Sequence, residues 1–197
     1  MRMRMAQDVD IHNGKSNTSC MKTTLDKLFE ISARKEKQKA KALPFPYPHP
    51  AFWIATWGKV GHLPMAGTWG TVASLPFIIA ITEYTELGIL YIFTILSFFI
   101  GWWACRKVEE HTGEHDHKSV VIDEVFGMAL VASFMPHLSL GSSWIHWLAA
   151  FILFRIFDML KPPPISQIDQ KLDGPFGVMF DDGLAAIYSI IALWLIF

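Results

Sequence analysis

The sequence contains little cysteine and no strong excess of charge of either sign. Its 197 residues include two cysteines, Cys20 and Cys105, too few for a disulfide framework or a cysteine metal cluster, and we expect both to be free thiols. The formal net charge is −1, and neither a basic patch with interleaved aromatic residues nor a zinc-finger spacing is present. We therefore expect no nucleic-acid partner.

We also expect no secretory leader peptide, and the common nucleotide-binding motifs are not found in the sequence. The N-terminal stretch "MRMRMAQDVDIHNGKSNTSC" carries charges throughout and lacks a continuous apolar stretch of signal-peptide length. The sequence has neither a P-loop nor a dinucleotide-binding fingerprint. If the chain inserts into a membrane, we expect it to use internal segments.

A polar, lysine-rich tail and a proline-rich linker occupy residues 1–50. The run "ARKEKQKAKA" is typical of a solvated helix face or of disorder. Leu25, Leu28, Phe29 and Ser32 follow helical spacing, so a short helix on a membrane surface is the alternative. "LPFPYPHP" then predicts a stiff linker, because proline cannot continue a helix. We expect one further domain, residues 51–197, embedded in a membrane.

Long apolar segments dominate that domain, and the mean hydropathy of the chain is +0.31. Leu87–Cys105 is 19 residues without a charge, close to the ~30 Å of a bilayer core at helical rise. Trp144–Leu160 and Gly183–Phe197 are similar. Glu124–Met135 and Thr71–Thr82 are shorter and could be half-spanning, tilted or core helices. We predict an all-α, polytopic membrane bundle of about four to five apolar helices.

The placement of basic residues predicts the orientation. If all five segments cross, Glu83–Glu86 and Pro136–Ser143 form loops on one side, and all 17 Lys and Arg residues lie on or next to the other side. The positive-inside rule makes that second side cytoplasmic. The same topology gathers a set of polar residues at one membrane face: Thr68, Asp116, Asp123, Glu124, Asp158, Lys161, Asp181 and Asp182.

Two acidic pairs in that set, Asp123–Glu124 and Asp181–Asp182, each precede an apolar run. A charge at the bilayer centre costs roughly 2.5 to 3.5 kcal/mol, so we expect both pairs at helix mouths. Helix capping explains a single aspartate, but clustered carboxylates repel each other unless they are protonated or bridged by cations. A bound divalent metal would relieve the repulsion, and this oxygen-rich, thiol-free set suits Mg²⁺.

Two further segments, "EHDH" and "GKVGHLPMAGTWGT", are weaker indicators of a functional site. His115 and His117 in "EHDH" lack the spacing of a zinc hydrolase, and we place them at the surface or behind the metal ligands. "GKVGHLPMAGTWGT" precedes an apolar helix. Its backbone N–H groups and the hydroxyls of Thr68 or Thr71 could hold an anion. A tight turn into a membrane helix is the alternative.

Three blocks together resemble the phosphatidylglycerophosphatase A family of membrane lipid phosphatases: "LPMAGTWGTVASLP", "HDHKSVVIDEVFGM" and "FRIFDMLKPPPISQIDQKLDGPFGVMFDDGLAAIY". The resemblance covers about Trp53 to the C-terminus. It implies hydrolysis of the terminal phosphate of the phospholipid phosphatidylglycerol phosphate, giving phosphatidylglycerol. It also implies Mg²⁺ as cofactor and a site on the cytoplasmic face of a bacterial inner membrane.

The resemblance implies roles for particular residues. Its acidic positions fall on Asp116, Asp123, Glu124, Asp158, Asp169, Asp181 and Asp182, with Thr68 in the glycine block and Lys161 in "DMLKPPP". Relatives usually read Ala-Pro-Gly-Thr in the first block, whereas here Ala66 precedes Gly67 directly. This difference affects the turn that orients Thr68.

The resulting hypothesis gives each group a task. Asp123, Glu124, Asp181 and Asp182 hold Mg²⁺, while Asp116 and Asp158 are further ligands or general acid/base groups. Lys161 and Arg155 bind the substrate phosphate, and Lys161 is preferred because Arg155 also suits an interfacial anchor. The alternatives are a Mg²⁺-dependent phosphatase or head-group transferase acting on another phospholipid, and a non-enzymatic membrane protein whose acidic pairs only cap helices.

Overall fold

The computed structural model describes residues 49–114, 117–140, 143–163, 165–166, 172 and 174–197. Residues Leu43–Phe197 form one compact unit. The predicted tail, residues 1–50, falls almost wholly outside the described residues, so its division from the rest of the chain stays a prediction.

Six α-helices make up the described part of the chain. They are α1 (Pro50–Ala55), α2 (Ala66–Tyr84), α3 (Leu87–Thr112), α4 (Ile122–Phe134), α5 (Trp144–Leu160) and α6 (Pro175–Ile196), with 3-10 turns at Val60–His62 and Met135–Leu138. None of the described residues lies in a β-strand. The all-α prediction is therefore confirmed.

The predicted bounds agree with the structure for α5 and are too short for α3 and α6. Helix α3 continues for two turns beyond Cys105, and in this extension Arg106 pairs with Glu110 one turn later, at 3.0 Å. Helix α6 begins at Pro175 rather than Gly183. Gly174, with φ 93°, ends the preceding loop, and Pro175 suits the first helical position.

Helix α4 occupies the centre of the bundle and packs against α2, α3, α5 and α6. Eleven of its 13 residues are buried. Gly127 permits close packing against α5, because a Cβ there would lie 2.5 Å from the ring of Phe154. At about 20 Å, α4 is shorter than a bilayer core, and the surrounding helices cover its sides.

The helices alternate in direction, so polar residues from several of them meet at one end of the bundle. Gly67 at the start of α2 lies against Glu124 and Arg155, which come from the start of α4 and the last third of α5. At the opposite end, Tyr91 near the start of α3 hydrogen-bonds to His137 after α4. The first of these ends, called the site end below, contains the predicted functional residues.

The outside of the bundle is apolar, while its interior includes hydroxyl groups. Leu96, Ile191 and Trp194 are 50%, 49% and 66% exposed. In the interior, the hydroxyls of Thr94 on α3 and Ser133 on α4 form a hydrogen bond of 2.9 Å. Among the described helices, α3 and α6 are long and apolar enough to cross a membrane. The predicted count of four to five spanning helices stays a prediction.

Candidate active site

The first acidic pair lies at the start of α4, as predicted. Asp123 and Glu124 occupy the first turn of that helix, where the helix dipole favours negative charge. The N-cap residue is Val121, whose apolar side chain makes no capping hydrogen bond. The Glu124 N–H instead donates to Asp123 Oδ1 at 3.1 Å. Both side chains are buried, at 8% and 9% exposure. Their charges are therefore largely withdrawn from solvent.

The second acidic pair is not at a helix mouth, which corrects the prediction. Asp181 and Asp182 are the seventh and eighth residues of α6, because that helix begins at Pro175. The dipole of α6 has little effect there, since it acts mainly on the first turn. Both carboxylates are nonetheless buried. Their stabilisation must therefore come from neighbouring helices.

Asp182 joins the first pair. One carboxylate oxygen from each of Asp123, Glu124 and Asp182 lies within 4.8 Å of the others, so the three could hold one metal ion. Asp158 on α5 is a further neighbour of Asp182 and Glu124. We call Asp123, Glu124, Asp158 and Asp182 the carboxylate cluster. They come from three helices, α4, α5 and α6.

Among the described residues, Arg155 is the cation that contacts this cluster. Its Nη1 lies 2.6 Å from Asp158 Oδ2 and 3.8 Å from Glu124 Oε1, and its side chain is only 13% exposed. Arg155 is thus buried in the site and is not an interfacial anchor. When all four carboxylates are ionised, the cluster carries four negative charges and Arg155 carries one positive charge.

Three buried atoms of the carboxylate cluster and Arg155 lack a hydrogen-bond partner within the described part of the chain. They are Glu124 Oε2, Asp182 Oδ2 and Arg155 Nε. A buried charged group without partners costs several kcal/mol, so native structures rarely leave one unsatisfied. Two carboxylate oxygens and one N–H therefore remain available for a cation and an anion respectively.

The glycine-rich segment reaches the same site. Helix α2 begins at Ala66, and its N-cap residue, Met65, has φ 59° and provides no side-chain cap. A Cβ at Gly67 would overlap Glu124 Oε1 and lie 3.0 Å from Arg155 Nη2. Only glycine fits this contact without a shift, and partly buried Thr68 follows it. The N–H groups of the first turn of α2 thus lie beside the carboxylate cluster, where an anion could bind.

Asp181 points to a different partner. Lys161 Nζ donates to Asp181 Oδ2 at 2.8 Å, linking the C-terminal end of α5 to α6. The lysine side chain is 32% exposed and the aspartate side chain 6% exposed. The structure therefore brings Asp123, Glu124 and Asp182 of the four predicted ligands together and places Asp181 in an ion pair.

Some predicted residues cannot be placed. Asp116, Asp169 and His115 lie outside the described residues. His117 is described, and its Nδ1 accepts the Ser119 N–H at 3.2 Å in the loop before α4. The roles predicted for Asp116 and Asp169 stay predictions.

On the sequence alone, Arg155 ranks below Lys161 as a phosphate-binding residue, and Gly67 is not identified as a site residue. A signal for Arg155 was available, because it stands three residues before Asp158 in an apolar segment. That spacing places both side chains on one helix face. The close contact of Gly67 depends on how α2, α4 and α5 pack together, so no local pattern predicts it.

The fold and the site define an all-helical protein with membrane-length helices and a buried, oxygen-rich cluster able to hold a metal ion. The family model described as phosphatidylglycerophosphatase A matches residues 53–197. The chain belongs to this family, which confirms the resemblance found in the sequence.

Curated relatives agree with the family. The chain is 44% identical over 133 residues to phosphatidylglycerophosphatase A of Haemophilus influenzae, covering 68% of this chain and 79% of the relative. It is 35% identical over 131 residues to the Escherichia coli protein of the same name, covering 66% and 73%. A Bacteroides thetaiotaomicron protein named, provisionally, as a phosphatidylinositol-3-phosphatase is 38% identical over 140 residues, covering 69% and 80%. No solved structure matches the chain.

Proposed function

We propose that this protein hydrolyses the terminal phosphate of phosphatidylglycerol phosphate, releasing phosphatidylglycerol and inorganic phosphate. The observation that carries the proposal is the buried carboxylate cluster with Arg155 in a chain of the phosphatidylglycerophosphatase A family. Two of its relatives carry that enzyme's name. A phosphate monoester dianion needs cationic groups in its binding site, and Arg155 and Lys161 provide them.

In this proposal the protein spans a bacterial inner membrane several times, with the site end facing the cytoplasm. The apolar outer surface and the membrane-length helices α3 and α6 support this placement. The orientation follows from the 17 Lys and Arg residues, which lie on or next to the side of the site when all five apolar segments cross. The acyl chains of the substrate then remain among the apolar helix faces.

Asp123, Glu124 and Asp182 hold Mg²⁺ in this proposal. Their oxygens lie within 4.8 Å of one another, and Glu124 Oε2 and Asp182 Oδ2 have no hydrogen-bond partner within the described residues. Carboxylate oxygens are the ligands that Mg²⁺ prefers. When bound, the ion would neutralise charge on the phosphate and orient the attacking water.

Arg155 and the first turn of α2 bind the phosphate itself. Arg155 Nη1 donates to Asp158 Oδ2 at 2.6 Å. Arg155 Nε has no hydrogen-bond partner within the described region. The N–H groups around Gly67 and Thr68 approach the same point from α2. These donors stabilise the charge that develops on the phosphoryl oxygens as the bond to the glycerol oxygen breaks.

The substrate is tested by comparing two lipids. The purified protein in detergent is given phosphatidylglycerol phosphate or phosphatidylinositol 3-phosphate with Mg²⁺, and phosphate release is measured. We expect kcat/KM to be at least about tenfold higher for phosphatidylglycerol phosphate, a difference of about 1.4 kcal/mol in transition-state binding. A preference for the inositol lipid would favour the function named for the Bacteroides relative.

A further inference from the structure

The neighbouring carboxylates of Asp181 and Asp182 have separate tasks. Consecutive residues of an α-helix point about 100° apart, so the two side chains leave α6 in different directions. Asp182 faces Asp123 and Glu124. Asp181 instead contacts Lys161 on α5.

We propose that Asp181 is a positioning residue that holds Lys161 ready for the substrate phosphate, and that it is not a metal ligand. The proposal rests on the function proposed above and adds a residue to its phosphate-binding machinery. Lys161 Nζ lies 2.8 Å from Asp181 Oδ2. A cation already held at this distance lowers the affinity of that carboxylate for a second cation.

The backbone at Lys161 is fixed in a strained conformation. Lys161 has φ 40°, a left-handed conformation that costs an L-residue roughly 1 to 2 kcal/mol, and a proline follows it. The turn is held on both sides. The Lys161 N–H donates to Phe157 O at 3.0 Å, and beyond the turn the Ile165 N–H donates to Pro162 O at 2.8 Å and Tyr188 Oη donates to Pro163 O at 3.2 Å. Strain maintained in this way is common at functional sites.

The exposure of the two partners fits a binding role. Asp181 is buried, but the Lys161 side chain is 32% exposed, so an ammonium N–H can reach an arriving anion while the carboxylate stays in place. A lysine side chain loses up to about 2 kcal/mol of rotamer entropy when it is ordered. Asp181 orders Lys161 before the substrate binds, and this reduces the cost of phosphate binding.

The test separates metal binding from phosphate binding in the purified full-length protein. Mn²⁺ affinity is measured alone, and inorganic phosphate affinity is measured with Mn²⁺ present, for the wild type, Asp181→Asn, Lys161→Gln, the double variant and Asp182→Asn. For Asp181→Asn we expect Mn²⁺ affinity within about threefold of wild type and phosphate affinity about tenfold weaker. Asp182→Asn should weaken Mn²⁺ binding more than about 100-fold.

The double variant shows whether the two residues act as a unit. We expect it to bind phosphate no more weakly than Lys161→Gln alone, since Asp181 acts through that lysine. Asp181→Glu keeps the charge and should recover part of the phosphate affinity. Loss of Mn²⁺ binding in Asp181→Asn comparable to that in Asp182→Asn would overturn the proposal, because Asp181 would then be a ligand. Unchanged affinity for both ions would also overturn it, leaving a purely structural ion pair.

Turnover of phosphatidylglycerol phosphate by the same wild-type preparation is a separate measurement. Its absence in protein that binds Mn²⁺ and phosphate would count against the proposed substrate. The role of Asp181 would still be decided by the two affinities. Where turnover is present, we expect Asp181→Asn to raise KM more than it lowers kcat.

Discussion

Arg155 contacts two members of the carboxylate cluster, Asp158 and Glu124, yet it offsets only one of four negative charges. The remaining repulsion between buried carboxylates opposes folding unless a cation or protons bind. Such repulsion lowers the stability of the metal-free protein, and the same negative charge favours the binding of a metal ion. Removing one of these carboxylates should therefore raise the stability of the metal-free protein and lower its activity.

Replacing Asp182 by asparagine should show this opposition. The variant removes one repelling charge at a residue that is only 5% exposed. The melting temperature without metal should rise by about 2–4 °C, equivalent to about 1 kcal/mol in a chain of this length. Thermal unfolding in detergent, with and without Mg²⁺, measures both effects. The stabilisation that Mg²⁺ gives the wild type should be lost in the variant.

Glu110→Gln is the matched control for this experiment. Glu110 is a carboxylate whose side chain is 46% exposed, paired with Arg106 and Lys107 on the surface of α3. Its replacement should change the melting temperature by less than about 2 °C. A lower metal-free melting temperature for Asp182→Asn would contradict the repulsion argument.

Gly67→Ala should damage the site through a single methyl group. The added Cβ overlaps Glu124 Oε1, so the Glu124 carboxylate and the Arg155 guanidinium must move away from residue 67. Displacement of such groups by about 1 Å can cost on the order of 100-fold in rate. We expect kcat/KM for phosphatidylglycerol phosphate to fall at least about tenfold while the protein stays folded.

Gly88→Ala controls for the change from glycine to alanine. A Cβ at Gly88 meets nothing within 4 Å, and that residue lies at the start of α3, away from the site end. Activity of this variant should remain within about twofold of wild type. If Gly67→Ala were equally active, the contact between α2 and the carboxylate cluster would have no catalytic importance.

At the scale of the helices, α4 determines how the others pack. It contacts α2, α3, α5 and α6, and Gly127 allows Phe154 to approach its backbone. Small residues permit such close crossings in membrane bundles. The hydrogen bond between Thr94 and Ser133 adds a second link, between α3 and α4.

Gly127→Ala should destabilise the bundle by about 1–3 kcal/mol, because its Cβ lies 2.5 Å from the Phe154 ring. Combining it with Phe154→Leu should restore part of the loss by providing space. Denaturant unfolding in detergent measures the three variants. Additive losses in the double variant would argue against direct packing between these two residues.

The sequence was informative about the existence of these helices and less so about their ends. Apolar runs locate the lipid-facing or buried part of a helix, so they missed the polar last turns of α3, from Arg106 to Thr112. They also missed the start of α6, where the acidic pair suggested a helix mouth. A buried acidic pair need not end a helix when other helices provide its partners.

The sequence also predicted that Asp123, Glu124 and Asp182 lie at one end of the bundle, but not how the site residues pair. Alternating helix direction was enough to bring Asp123, Glu124 and Asp182 together. The separation of Asp181 from Asp182 depends on the rotation of α6 about its axis, which is set by packing. The contacts of Arg155 and Gly67 depend on the same packing.

At the scale of the whole molecule, the two ends of the bundle should face different compartments. Single cysteines at Glu114 and Glu86, both exposed, report on the site end and the opposite end in a background of Cys20→Ser and Cys105→Ala. With an impermeant thiol reagent and intact spheroplasts, we expect labelling of Glu86→Cys but labelling of Glu114→Cys only after permeabilisation. Equal labelling of both before permeabilisation would contradict the proposed topology.

The central claim is metal-dependent hydrolysis of phosphatidylglycerol phosphate by the carboxylate cluster. Its most direct test is phosphate release from that lipid by the purified protein, with Mg²⁺ and with excess chelator, alongside Asp182→Asn. We expect phosphate release with Mg²⁺, loss of release with chelator, and a fall of at least about 100-fold in the variant. No release by folded wild-type protein with Mg²⁺, or equal release with chelator, would contradict it.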